Sequence, residues 1–204
     1  MSNDYQLVQL ASGENTLFSA SYGEKMHPGL GPQAEAELLY VRQLKICERL
    51  RNHSGEFVIW DIGLGAAANA VATLRATQAI SGELRMVSFD NTREPLEVAL
   101  KNSRALNYPV GYENQIADLL QKNRVEFQNR DLNVIWEFHL GDFPALIFNS
   151  KFKTQNFLRR TRFFTTHFRP PKIRRCGRCR FSKIFFPRSI QKLRARSQLI
   201  RAAL

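Results

Sequence analysis

Apolar residues first fall into a recognisable pattern after position 32, behind a polar, turn-rich stretch that ends in His27-Pro28-Gly29-Leu30-Gly31-Pro32. That stretch reads as a loop leading into a helix. From residue 33 to about 50, Leu38, Val41, Leu44 and the Cys47/Leu50 pair recur at three-residue steps with charged residues elsewhere around the wheel. The spacing predicts a helix packed on one face. Asn52-His53-Ser54-Gly55 breaks it, and Phe57-Val58-Ile59-Trp60-Asp61-Ile62 follows, nearly all apolar, the pattern of a strand buried on both faces. A helix is predicted over residues 66–78, a second strand over 84–89 ending at Asp90, and helices over 93–106 and 112–122. A third strand over 134–140 ends at Gly141-Asp142. Alternating strands and helices predict an α/β fold with a doubly wound parallel sheet and right-handed crossovers.

Beyond Ser150 this order stops. Eight Phe and 17 basic residues follow one another with no sustained period of 2 or 3.6. The whole chain of 204 residues carries a formal charge of +12 and is 44% hydrophobic, enough for one sizeable core. Residues 1–150 hold 13 basic and all 18 acidic residues, a net −5, whereas 151–204 hold no acid and carry +17. At the acid frequency of the first part, about six acids would be expected in the second. No apolar run reaches the length of a membrane span, and the start MSNDYQLVQLASGEN has neither a basic nor an apolar leader segment, so the expectation is a cytoplasmic protein with no membrane partner. Three cysteines, Cys47, Cys176 and Cys179, make no disulfide framework.

Candidate chemistry gathers at the strand ends. Asp61-Ile62-Gly63-Leu64-Gly65 lies where a buried strand turns into a helix, a place where glycines admit a ligand close to the backbone and helix N–H groups face it. Asp90 ends the next strand, where a carboxylate can accept both hydroxyls of a ribose, and Asp142 ends the third, where it could take an adenine amino group. A dinucleotide site is a rival reading, because Gly63-x-Gly65-x-x-Ala68 also satisfies that fingerprint, with an acid about 25 residues on. A plainer reading leaves the glycines a tight turn and the acids helix caps.

The segments SYGEKMHPGLGPQAEAELLYV (21–41), FVIWDIGLGAAANAVATLRAT (57–77) and HLGDFPALI (139–147) resemble the MnmC-like tRNA methyltransferases over about residues 12–150. These are class I enzymes with a Rossmann-like fold that use S-adenosylmethionine. The best known methylate the aminomethyl nitrogen of a tRNA wobble uridine, forming 5-methylaminomethyl-2-thiouridine. The resemblance implies that Gly63 and Gly65 cradle the methionine part of the cofactor, with Asp61 beside it, Asp90 on the ribose and Asp142 at the adenine. Tyr22, Glu24, Met26 and His27 match the family's segment ahead of the fold and would cover cofactor or substrate. It also implies tRNA as partner and, for some members, a flavin-dependent oxidase. The family's Asp-Ala-Phe-Ser-Pro stretch and the Lys-Asn-Pro and Met-Trp that follow it, which form the fourth strand end and the loop against the target nucleotide, are absent, so no catalytic residue can be named.

They return in another frame. Reading the codons of 157–203 one base earlier, the third base of each codon joins the first two of the next. Residues 160–181 can then read PDAIFYDAFSPAKNPAMWTLPVF, and the remainder KNLFSSLDPKAPCALATYSRST. First and second bases are mostly fixed, so a match of this length points to a one-nucleotide shift between about residues 149 and 157. The expected organisation is an N-terminal extension over 1–32, the first half of the methyltransferase domain over 33–150, and an out-of-frame basic tail over 151–204 that leaves the sheet incomplete and this chain inactive. On that reading Cys176-Gly-Arg-Cys179 is an accident of codons. A zinc site would need a second ligand pair, and His167 stands alone, so no metal is expected. The alternatives are a noncatalytic nucleotide- and RNA-binding protein, whose tail stacks bases on Phe and meets phosphates with Arg, and a methyltransferase for another amine.

Overall fold

The computed structural model of the chain describes residues 4–149 and 162–165, all within one compact unit, Met1–Phe168. Cys176, Cys179, His167 and the rest of the basic stretch lie outside the described residues. The polar N-terminal stretch, expected as a loop, is a small antiparallel sheet of β1 (Tyr5–Gln9), β2 (Asn15–Ser19) and β3 (Glu24–Lys25). In β2 Thr16, Leu17 and Ser19 are almost fully buried, while Asn15 and Phe18 remain partly exposed.

The single helix expected over 33–50 is three pieces: α1 (Pro32–Ala36), a π-helix (Glu37–Arg42) and α2 (Ile46–Arg51). Within the π-helix the Gln43 N–H donates to the Leu38 carbonyl, five residues back. The wider turn breaks the three-residue stepping, so Leu38 and Leu39 face solvent at 43% and 53% exposure while Val41 stays buried. Lys45, at φ 53°, then starts α2 in a new direction.

The apolar run at 57–62 forms β4 (Glu56–Ile62), in which residues Phe57 to Trp60 are all 6% exposed or less. After it come α3 (Ala68–Thr77), β5 (Gly82–Asp90), α4 (Glu94–Lys101), α5 (Ser103–Leu106) and α6 (Glu113–Lys122). Then follow β6 (Arg124–Asn129), β7 (Leu132–Leu140), α7 (Phe143–Asn149) and β8 (Arg162–Thr165). β4, β5, β7 and β8 pair in parallel, in the order β6-β7-β5-β4-β8. β6 departs from the all-parallel expectation: it runs antiparallel to β7, because the two residues between them, Arg130 and Asp131, allow only a hairpin.

One face of this sheet, carrying Ile59, Leu84, Met86, Val134 and Trp136, meets the helices in the main core. α3 packs there against α1, the π-helix and α2. The other face carries Val58, Trp60, Val87 and Phe89, with Phe143 and Leu146 of α7 packed on them. The N-terminal sheet is tied to this body by two hydrogen bonds, Asp4 N–H to Glu94 Oε1 (3.0 Å) and Asn15 Nδ2 to the Ala105 carbonyl (2.9 Å).

Candidate functional site

From β4 the chain winds outward through β5 to β7, and β8 then lies on β4's opposite side. The carboxyl end of β4 is therefore where the winding reverses, the place where open α/β sheets leave a crevice for ligands. Asp61 stands at that end. Its side chain is 3% exposed, and its Oδ2 accepts from the Ser88 hydroxyl (3.1 Å), whose oxygen in turn accepts from Trp136 Nε1 (2.9 Å). Burial pushes the Asp61 carboxyl up to about 7, with the Asp90 charge adding to the rise. A carboxyl so placed takes up a proton readily near neutral pH, and a cation in the crevice would favour its ionised form instead.

The glycine turn follows. Gly63 and Leu64 N–H both donate to the Phe89 carbonyl (2.8 and 3.0 Å), which pins the turn to the end of β5. Gly65 has φ 53°, a conformation that suits a residue with no Cβ. Its N–H donates to Asp90 Oδ2 (2.8 Å), while Asp90 Oδ1 accepts from Asn91 and Thr92 N–H (2.7 and 3.3 Å). Asp61, Gly63, Gly65 and Asp90 thus form one group across two adjacent strand ends. Asp90 is itself raised above the usual carboxylate range by burial, against the pull of those three backbone donors. Ala67, also left-handed at φ 63°, completes the turn into α3.

The segment ahead of the fold reaches the same place in part. Met26 N–H pairs with the Leu17 carbonyl (2.8 Å), and its Cε lies 2.8 Å from where a Cβ on Gly65 would stand. His27 Nδ1 is 3.4 Å from Glu35 Oε2. Tyr22 is 39% exposed and Glu24 faces outward on β3. Asp142 is exposed at the end of β7, where its Oδ2 accepts from Ala145 N–H (3.1 Å) and caps α7.

Several residues at the site carried no sequence signal. Tyr5 on β1 is pushed up to about 12 by burial, then by the charges of Asp4 and Asp90. Tyr40, on the π-helix, is raised to about 12 by burial and then by the Asp61 charge, against an opposing effect of Asn69 in the first turn of α3. Ser88 is a buried hydroxyl in an apolar strand, a signal visible in the sequence once the strand is known.

Among the described residues no three His, Cys, Asp or Glu side chains are grouped to hold a metal ion, and no helix is long and apolar enough to cross a membrane. No family model and no curated protein matches the chain. Among solved structures its fold is similar to the crystal structure of MNMC2 from Aquifex aeolicus, with a TM-score of 0.50 and 21% identity. The match covers 74% of this chain and 46% of that one, so this chain spans less than half of its structural neighbour's length.

Proposed function

We propose that residues 1–150 are the cofactor-binding half of an S-adenosylmethionine-dependent tRNA methyltransferase that acts on the aminomethyl group of wobble uridine. The supporting observation is the strand-end group: a buried Asp61 with a raised proton affinity, the Gly63–Gly65 turn, and Asp90 held at the turn by Gly65 N–H. A cationic cofactor fits that donor set, since its amino-acid ammonium would neutralise Asp61 and its ribose hydroxyls would meet Asp90. When bound, S-adenosylmethionine supplies an electrophilic methyl on sulfur. The protein's part is to hold the acceptor nitrogen unprotonated and in line with that methyl, so positioning and a nearby proton acceptor carry the chemistry. The name of the structural neighbour agrees with the family that the sequence segments resemble.

The residues that would do this positioning are those of the Asp-Ala-Phe-Ser-Pro segment, which this reading frame lacks, and the chain as it stands is therefore inactive. The one-nucleotide shift is our reading of that loss; β8 itself consists of residues of the frame as written, Arg162–Thr165, paired with β4 on its free side. Resequencing the gene across the codons for 149–157 and some distance beyond tests the shift directly, followed by methyl transfer from labelled S-adenosylmethionine to tRNA by the repaired chain. A confirmed frame as written, with no cofactor binding by the purified chain, would overturn the proposal. Methylation of small amines but not tRNA would instead favour a different acceptor.

A further inference from the structure

We infer that Glu35 is a positioning residue for this site: it holds residues 26–30 in place so that Met26 lies against the Gly63–Gly65 turn. Three contacts converge on its carboxylate. Oε1 accepts from the N–H groups of Gly29 (2.6 Å) and Leu30 (2.9 Å), and Oε2 meets His27 Nδ1 (3.4 Å). Both partners are well covered, with side-chain exposures of 15% for His27 and 18% for Glu35. Accordingly the Glu35 carboxyl lies below its usual range, first through its bond with His27 and then through the two backbone donors, against an opposing effect of burial.

The loop is shaped for this contact. A Cβ on Gly29 would come within 2.8 Å of Glu35 Oε1, so only glycine lets the carboxylate reach the backbone. Gly31 has φ 94°, and its carbonyl accepts from Glu35 N–H (3.1 Å), which ties the end of the loop to the first turn of α1. At the other end Met26 is fixed to β2 through the Leu17 carbonyl. Between these two anchors Glu35 sets the path of the loop, and the Met26 thioether fills the space left open by the missing side chain at Gly65. Glu35 touches neither the turn nor the acids. It acts through Met26 and His27, as a wall of the crevice that the glycine turn lines.

This inference rests on the cofactor-site reading, and the experiment separates the two. Amide exchange by mass spectrometry is compared in the full chain for wild type, Glu35→Ala, Glu35→Gln and Gly29→Ala, together with calorimetric titration of S-adenosylmethionine. With Glu35→Ala, exchange at residues 26–30 should rise about tenfold or more, as expected when a charged acceptor of two amides is removed, while β4 and β5 keep their protection. Cofactor affinity should fall by about tenfold. Glu35→Gln keeps an acceptor for both amides and should lie between, and Gly29→Ala should reproduce the alanine effect with Glu35 intact. Unchanged exchange at 26–30 in folded Glu35→Ala overturns the inference, as does raised exchange with unaltered affinity in a chain that binds. If wild type binds no S-adenosylmethionine and its frame is confirmed as written, the cofactor reading fails. The exchange at 26–30 and at Gly65 then decides by itself whether Glu35 holds Met26 on the turn.

Discussion

Asp61 is the residue at which stability and the proposed function oppose each other. Burial raises its affinity for a proton, so the folded chain holds more protons than the unfolded one between the ordinary carboxylate value of 3.8 and about 7. The stability this proton contributes is present at low pH and is lost as pH rises through about 7. Asp61→Asn keeps an acceptor for the Ser88 hydroxyl and removes the charge. It should therefore gain roughly 1–2 kcal/mol in unfolding free energy at pH 8, with much less change at pH 5, while weakening S-adenosylmethionine binding at least tenfold. Equal stability changes at both pH values would contradict this account. Glu35 and Glu137 titrate in the opposite sense. The neighbouring His27 and His139 side chains respectively do most to hold them below the usual range, so their contribution is lost only as the solution becomes acidic. At Gly65 the left-handed backbone resists a side chain, and the flexible Met26 Cε would have to move aside for one. Gly65→Ala should cost about 1 kcal/mol of stability by denaturant titration and reduce cofactor affinity more than that strain alone explains.

At the scale of elements, α7 decides between two readings of Asp142. Its Oδ2 caps the helix at Ala145 N–H, and the helix lays Phe143 and Leu146 on Trp60 and Phe89. Asp142→Ala should destabilise the chain by about 1 kcal/mol, and Asp142→Asn, an equally good cap, by a few tenths at most. A loss of cofactor affinity in Asp142→Asn, measured by titration, would assign the carboxylate to the adenine as well. The elements legible in the sequence were those whose burial is uniform. β4 is apolar and buried from Phe57 to Trp60, and the helices α3 and α6 appear within two residues of their expected bounds. The π-helix was not legible, because an extra residue per turn leaves the same apolar spacing and changes only which residues it buries; Leu38 shows the result. β6 carries Val125 and Phe127 alternating with charged and polar residues, a short edge-strand signal that six residues next to a strong helix easily conceal. That the glycine turn and Asp90 would meet at adjacent strand ends was readable, because a tight turn after a buried strand demands particular residue types. Glu35, Tyr5 and Tyr40 were not, since their roles depend on which loops and helices pack beside the turn, and no local spacing encodes that.

For the molecule as a whole, two compositions in one chain imply two separable behaviours. Residues 1–150 carry −5 and the remaining 54 carry +17. If residues 151–204 are the out-of-frame product of the domain's second half, the present chain orders fewer residues than the repaired one, and calorimetry should show it. At about 0.7 kcal/mol per residue, the repaired protein should unfold in one cooperative transition of roughly 140 kcal/mol or more, and the present chain should fall short by at least about a quarter. RNA binding separates the same two cases by its salt dependence. A segment with 17 cations and no acid will hold any RNA, with an affinity that falls steeply with salt because each neutralised phosphate releases a counterion. Binding of tRNA and of an unrelated RNA to the present chain should therefore weaken in parallel between about 50 and 200 mM salt, and truncation at residue 150 should abolish both. The repaired chain should lose the indiscriminate component and keep a preference for tRNA. A tRNA preference in the present chain that disappears on truncation would mean that the basic stretch is itself a recognition element, and the frame written in the gene would then be the functional one.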